Sequence, residues 1–241
     1  MYKTSRWNSK QGQGQIQIRP ALTIIVRAVS PTTTVEDTYH SEDHFLNYLL
    51  WTGVKGTKWP NRTYLIATMK SSYGEGIFNK RFVNIPSIKD AEAVMLCDDD
   101  FDDAVTAHHD IEITLTLNYS PCSKCADKLR DFYENHRNIR NLIIQFSFLY
   151  RIREEKNQFG LRNLREAGVT LQAMNANSWR EVGVDLESMA SSDVDRITER
   201  DEDTEGMLNK VLFTYESEQD QDTSDDYDDL SSRFHSHLIF W

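Results

Sequence analysis

Strand-like and helix-like segments alternate through the middle of the chain, and this alternation constrains the fold more than any other feature of the sequence. Strand patterns occur at residues 64–69, 77–85, 111–117, 142–150 and 169–174. Helical patterns begin near Ser41 and recur at residues 89–97, 122–136 and 163–167. This order of strands and helices predicts an α/β fold built in layers.

The two ends of the chain differ from its middle. Residues 1–35 are predicted to form a polar N-terminal extension with one strand at 22–29. Residues 216–241 form an acidic tail, which is predicted to lack order. Residues 36–215 remain as the folded domain, with a last helix predicted at 207–213.

The net charge of −11 is unevenly distributed along the chain. Residues 1–39 carry +3, residues 40–180 are neutral and residues 181–241 carry −14. Overall acidity argues against a nucleic-acid partner, but the neutral middle of the chain can still carry a local basic groove.

Composition narrows the class of protein further. No apolar run approaches the ~18 residues that cross a bilayer, and the first residues lack the pattern of a secretory leader. Cys97, Cys122 and Cys125 are too few, and odd in number, for a disulfide framework. We therefore expect an intracellular protein, in the nucleus or the cytoplasm and not in a membrane.

Two short motifs carry the chemistry. The first is D-A-E at residues 90–92 and the second is P-C-S-K-C at residues 121–125, with 28 residues between Glu92 and Pro121. Two cysteines three residues apart at a helix start can converge on one metal ion, and the helix dipole there also favours their thiolate form. A catalytic zinc ion needs a third protein ligand, an open position for water and a nearby carboxylate that moves protons.

Several other interpretations of these residues stand beside the catalytic one. The C-x-x-C pair also suits a thioredoxin-like redox site, although Pro121 precedes the pair. A structural zinc site would need a fourth ligand, and Cys97 is predicted to face the core. Asp90 could be a simple N-cap, with His108 or His109 as the third ligand. The five aspartates at residues 98–103 are predicted to be a solvated insertion.

The two motifs match the zinc-deaminase signature H-x-E…P-C-x-x-C, with Asp90 in the place of the histidine. The segment N-Y-S-P-C-S-K-C at residues 118–125 resembles the S-W-S-P-C-x-x-C element of AID/APOBEC proteins, with Tyr119 in the tryptophan position. Residues 148–174 resemble the segment that follows the fourth strand in those proteins. The resemblance covers roughly residues 42–180.

This resemblance implies a cytidine-deaminase-like three-layer fold, with a five-stranded mixed sheet flanked by helices. It implies zinc as the cofactor, Cys122 and Cys125 as ligands and Glu92 as the proton shuttle, and Asp90 is then the expected third ligand. The residues that it implies for substrate binding are Asn79, Ala91, Tyr119, Ser120, Tyr150 and Arg151. The loops at 55–62 and 151–159 would hold the flanking strand through Lys55, Lys58, Trp59, Arg62, Arg151 and Arg153.

The predicted function is zinc-dependent hydrolytic deamination of cytosine to uracil in single-stranded nucleic acid, with DNA favoured over RNA. Because an aspartate adds negative charge to the ligand set, it should weaken zinc as a Lewis acid and give a slower or more alkaline-shifted enzyme. The alternatives are a deaminase of free cytidine or a nucleotide, and a catalytically silent protein that binds nucleic acid. If the acidic tail mimics phosphate, removing residues 216–241 should strengthen binding at low salt.

Overall fold

Five strands form one mixed sheet, as predicted. They are β1 (Tyr64–Ser71), β2 (Gly76–Val83), β3 (Ile111–Tyr119), β4 (Ile139–Phe148) and β5 (Thr170–Ala173). Their order across the sheet is β2-β1-β3-β4-β5. β1 runs antiparallel to both β2 and β3, whereas β3, β4 and β5 are mutually parallel.

This computed structural model describes residues 42–213, in which seven α-helices flank the sheet. They are α1 (Glu42–Trp51), α2 (Ala91–Met95), α3 (Asp99–Ala107), α4 (Ser123–Asn135), α5 (Glu155–Glu166), α6 (Ala176–Glu181) and α7 (Ser191–Phe213). The N-terminal extension, its predicted strand and the acidic tail lie outside the described residues. None of the helices within 42–213 is long and apolar enough to cross a membrane.

The alternation of side chains along the strands divides the core into two layers. Leu65, Ala67 and Met69 of β1 pack into the larger core, to which α2, α3, α4 and α5 also contribute. Tyr64 and Ile66 of the same strand pack into the second core, with α1 and α6 on the opposite face. Helices on both faces of a mixed sheet give the three-layer, cytidine-deaminase-like architecture that the resemblance implied.

The aspartates at residues 99, 100, 102 and 103 are exposed to solvent, as predicted, but they lie in helix α3 and not in an irregular insertion. Asp98 is the N-cap, and its carboxylate accepts a hydrogen bond from the amide of Phe101. The aspartates that follow lie in the first turn, where the helix dipole favours negative charge. Phe101 and Val105 lie one turn apart and are buried in the larger core. Cys97 precedes this helix and is exposed, contrary to the prediction that it faces the core.

Helix α5 begins at Glu155, eight residues before the helix predicted at 163–167, so the loop after β4 is much shorter than expected. Gly160 allows this helix to lie close against α4. A Cβ atom at Gly160 would lie 3.0 Å from the Cβ of Ala126 and 3.1 Å from the Cα of Ser123. This close contact places the loop after β4 directly beside the start of α4.

Helix α7 is far longer than the helix predicted at 207–213. Ile197 near its start packs into the core with α1, while Leu208 and Leu212 near its end pack into the core with α5. The helix therefore passes from one face of the sheet to the other beside the edge strand β5, with which it is in contact.

Candidate metal and catalytic site

Two helix starts meet just beyond the carboxyl end of β3. Cys122 occupies the N-cap position of α4, and Cys125 lies in the first turn of that helix. Asp90 occupies the N-cap position of α2, and Glu92 lies in its first turn. The parallel strand β3 and the contact between α2 and α4 bring the two motifs together, although 28 residues separate Glu92 from Pro121 in the sequence.

The potential ligand atoms of Asp90, Cys122 and Cys125 lie within 4.8 Å of one another. Within the described residues this is the one cluster of three or more histidine, cysteine and acidic side chains close enough to share a metal ion. Asp90 is exposed, Cys122 is half-buried and Cys125 is buried, so one side of the cluster remains open to solvent.

The side chain of Asp90 does not cap its helix. It makes no capping hydrogen bond to the backbone, and its Oδ2 atom instead accepts a hydrogen bond from Sγ of Cys125 at 3.3 Å. The alternative interpretation of Asp90 as a simple N-cap therefore does not describe its contacts.

One carboxylate and two thiolates are a donor set that suits zinc. Three protein ligands would leave a fourth position open, as catalytic zinc sites require. His108, the proposed alternative ligand, lies before β3 at the end of the strand remote from Tyr119, and its Nδ1 atom is within 2.9 Å of the carbonyl of Ala104. Neither His108 nor His109 belongs to the cluster.

Glu92 is buried beside the cluster, with only 3% of its surface exposed. Burial raises the pKa of its carboxyl group to about 7, and the negative charges of Cys122 and Asp90 act in the same direction. A carboxyl group whose pKa lies near neutrality can both accept and return a proton under physiological conditions.

The two cysteines are electrostatically unequal. The pKa of Cys122 is lowered by its contact with the Cys125 side chain and by the backbone amides at the helix start, which stabilise the thiolate. The pKa of Cys125 is raised by the same thiol contact and by burial. Cys122 is therefore the thiol that ionises first.

Two tyrosines and a serine form the rim of the site at the ends of β3 and β4. The rings of Tyr119 and Tyr150 meet edge to face, with 6.1 Å between their centroids. Tyr119 donates its hydroxyl hydrogen to the carbonyl of Pro60 at 2.9 Å, and Oγ of Ser120 accepts from the amide of Tyr150 at 2.9 Å. The guanidinium of the exposed Arg151 lies 5.3 Å from the centre of the Tyr150 ring.

Of the predicted substrate-binding residues, Asn79 lies away from the cluster, whereas Ala91 lies between Asp90 and Glu92 with its side chain buried. Asn79 lies in the middle of β2, opposite Thr68, and its neighbours Phe78 and Lys80 are on the strand face turned towards α3. Since side chains alternate along a strand, Asn79 points to the other face of the sheet, away from Glu92. The side chain of Ala91 is fully buried in the core, which leaves only its backbone to border a substrate.

Asn84 is a residue of this region that the sequence did not single out. It follows the last residue of β2, and its Oδ1 atom accepts a hydrogen bond from the amide of Thr63 at 3.1 Å. A short turn closed by the bridge between Ile85 and Lys89 then leads directly into Asp90. An asparagine placed between a strand and the D-x-E motif is the sequence signal that could have identified Asn84 as a neighbour of the site.

The loop between α1 and β1 is partly structural. The indole of Trp59 donates to the carbonyl of Val54 at 3.2 Å and packs against Phe148, with 5.0 Å between ring centroids. Lys55 forms an exposed ion pair with Glu199 at 3.0 Å, and Lys58 is exposed. Lysine side chains from this loop thus lie at the surface, whereas Trp59 supports the loop from within.

Asn157 is a second residue that sequence patterns did not identify. It lies in the first turn of α5, is 2% exposed and is hydrogen-bonded both to the start of α4 and to the loop after β4. No local pattern marks it, because its partner Ser123 lies 34 residues away along the chain.

A five-stranded mixed sheet that carries D-x-E and P-C-x-x-C at two adjoining helix starts defines a cytidine-deaminase-like protein. The model of the invertebrate AID/APOBEC deaminase family matches residues 45–223, and the chain belongs to this family.

Curated relatives match a shorter part of the chain. The human C->U-editing enzyme APOBEC-1 (Homo sapiens) is 36% identical over 67 residues, which cover 28% of each chain. The DNA dC->dU-editing enzyme APOBEC-3Ca of Felis catus is 37% identical over 68 residues, covering 28% of this chain and 35% of the relative. The DNA dC->dU-editing enzyme APOBEC3 of Rattus norvegicus is 31% identical over 77 residues, covering 32% and 18%. The matched region spans about a third or less of each relative.

Proposed function

We propose that the protein is a zinc-dependent cytidine deaminase that converts cytosine to uracil in single-stranded nucleic acid, with DNA favoured over RNA. The observation that carries this proposal is the buried carboxyl group of Glu92 beside the Asp90, Cys122 and Cys125 cluster. Membership of the AID/APOBEC family and similarity to editing enzymes support the same activity.

Hydrolytic deamination adds water to C4 of cytosine and breaks the bond from C4 to the exocyclic nitrogen, which leaves as ammonia. A zinc ion bound by Asp90, Cys122 and Cys125 would supply Lewis acidity that activates the water. Glu92 would take a proton from that water and pass it to the base, because its buried carboxyl group lies beside the potential ligands.

The rim residues would bind the nucleotide. An aromatic ring at a strand end can stack on any base, and an adjacent cation can neutralise a phosphate. We assign the stacking role to Tyr119 and Tyr150 and the phosphate contact to Arg151, whose guanidinium lies beside the Tyr150 ring at the surface. The buried Ser120 would act through its hydrogen bond to the amide of Tyr150.

The test is to incubate the purified protein with a pool of single-stranded DNA and RNA oligonucleotides and to sequence for C-to-U change. Glu92→Ala is the inactive control and Glu166→Ala, an exposed carboxylate at the end of α5, is the matched control. Conversion that is lost only in Glu92→Ala supports the proposal, and the DNA and RNA arms decide the preferred polymer.

Two other outcomes would replace this proposal. Release of ammonia from free cytidine without conversion of the oligonucleotides would identify a deaminase of small substrates. Tight binding of oligonucleotides by a folded protein that converts neither substrate would identify a silent nucleic-acid-binding protein.

A further inference from the structure

A single buried side chain connects the metal cluster to the rim of the site. Oδ1 of Asn157 accepts a hydrogen bond from the backbone amide of Ser123 at 2.9 Å. Nδ2 of the same side chain donates to the carbonyl of Arg151 at 3.2 Å and to the carbonyl of Tyr150 at 3.4 Å. The side chain of Asn157 therefore binds the start of α4 through Oδ1 and the loop after β4 through Nδ2.

The proposed reaction requires these two segments to keep a fixed position relative to each other. Ser123 is the first residue of α4 and lies between Cys122 and Cys125 in sequence. Tyr150 and Arg151 are the residues that would stack on the base and contact the phosphate. The contact between α4 and α5, which Gly160 makes close, keeps Asn157 between the two segments.

The loop that Asn157 holds is in a strained conformation. Arg151 has a φ angle of +42°, which a residue with a Cβ atom adopts only when its surroundings impose it. The carbonyl of Arg151 accepts from Nδ2 of Asn157 and also from the amide of Glu154 at 2.9 Å. Nε2 of Gln158 donates to the carbonyl of Ile152 at 2.9 Å. Side chains from the first turn of α5 thus bind the carbonyls of three successive loop residues.

We propose that Asn157 is a positioning residue, which fixes the loop carrying Tyr150 and Arg151 at a set distance from the cysteines at the start of α4. The effect of Asn157 on catalysis rests on the proposed deaminase function, whereas its effect on the conformation of the loop does not. Asn157 acts through its neighbours, since its side chain is buried and faces backbone groups of both segments.

Substitutions of the amide group can separate the contact with the start of α4 from the contact with the loop. In Asn157→Asp the side chain keeps an acceptor for the amide of Ser123, and a negative charge at a helix start is favourable. The same substitution removes the donor and turns a carboxylate oxygen towards the carbonyls of Tyr150 and Arg151, which repels them. Asn157→Ala removes both contacts. Asn163→Asp, on the same helix and outside both contacts, is the matched control.

The experiment measures bound zinc, thermal stability, hydrogen exchange of residues 150–154, and kcat and KM on a cytosine-containing single-stranded oligonucleotide, all in the full chain. We expect Asn157→Asp to keep its zinc, to exchange at least about tenfold faster in the loop and to show a KM raised about tenfold with a smaller change in kcat. Asn157→Ala should show the same loop effect and lose zinc more readily.

Loop exchange in Asn157→Asp that equals that of the wild type and of Asn163→Asp would overturn the proposal, as would a lowered melting temperature with unchanged loop exchange and KM. If the wild type converts no cytosine, the proposed function fails, and loop exchange together with oligonucleotide affinity still decides the role of Asn157. Loss of zinc in Asn157→Asp to the level of Asn157→Ala would overturn the separation of the two roles.

Discussion

Oδ2 of Asp90 lies 3.3 Å from Sγ of Cys125, although the two residues lie at the starts of different helices. This contact places the carboxylate in the cluster of potential metal ligands, and the carboxylate does not cap α2. A carboxylate with two thiolates brings about three negative charges to a zinc ion, where a histidine with two thiolates brings about two. The charge of the ligand set is thus the property in which this site departs from the usual deaminase signature.

Asp90→His should therefore speed the reaction near neutral pH and shift the alkaline-displaced pH–rate profile towards lower pH, because a less negative ligand set leaves zinc a stronger Lewis acid. The measurement is the pH dependence of kcat, with bound zinc determined in parallel. Asp98→His, at the N-cap of α3 and outside the cluster, is the control. An unchanged profile in Asp90→His would argue against Asp90 as a ligand.

Arg151→Gly and Arg151→Ala should weaken oligonucleotide binding equally but differ in stability. Both remove the same cation, whereas only glycine adopts the φ angle of +42° without strain. We expect the glycine variant to be more stable than the alanine variant by about 1 kcal/mol in urea denaturation. Equal stabilities would mean that Arg151 carries no significant backbone strain.

Gly53→Ala should strongly destabilise the protein because the new Cβ atom would lie 2.5 Å from Cδ2 of Phe148. Gly74→Ala is the matched control, since Gly74 has a φ angle of +82° against +83° for Gly53 but nothing within 4 Å of its Cβ position. Both variants bear the cost of positive φ, and the clash should add about 2 kcal/mol to the loss of unfolding free energy at Gly53. Comparable losses in the two variants would show that Phe148 moves aside.

Asp201→Asn should lower the free energy of unfolding by about 3 kcal/mol, because it leaves the guanidinium of Arg200 buried without an opposite charge. Asp201 binds Nε of Arg200 at 2.7 Å and the indole nitrogen of Trp179 at 2.8 Å. Asparagine has nearly the same shape, so the effect reports charge and not volume. Chemical denaturation measures it, with the exposed neighbour Glu202→Gln as control, and a loss equal to that of the control would contradict the prediction.

The sheet could be predicted from the sequence because its strands follow two strong signals, alternation in β3 and apolar runs in β4. Helices α3 and α7 could not be predicted in full, because each carries more charged residues than buried apolar ones. In α3, Phe101 and Val105 are the buried residues, and the aspartates around them suggested a solvated insertion. The start of α5 was missed because contacts of Gly160 with α4, and not local propensity, hold it in place.

The candidate site divides in the same way. Asp90, Glu92, Cys122 and Cys125 could be found because their chemistry depends on short spacings within two motifs. Asn157 could not be found, because its role arises only when α5 packs against α4. The resemblance predicts Asn79 at the site but does not specify which face of β2 it occupies. Strand alternation places its side chain on the face opposite to that of Glu92.

The guanidinium of Arg200 binds the carbonyls of Leu50 and Thr52 at the end of α1, across 150 and 148 residues of chain. At a synthesis rate of about 5–20 residues per second, Arg200 is synthesised roughly 8 to 30 seconds after the end of α1. During that interval the last carbonyls of α1, and the apolar side chains that later pack against Ile197, have no native cover from α7. The order in which the chain is synthesised therefore makes the closing of this layer one of the last events of folding.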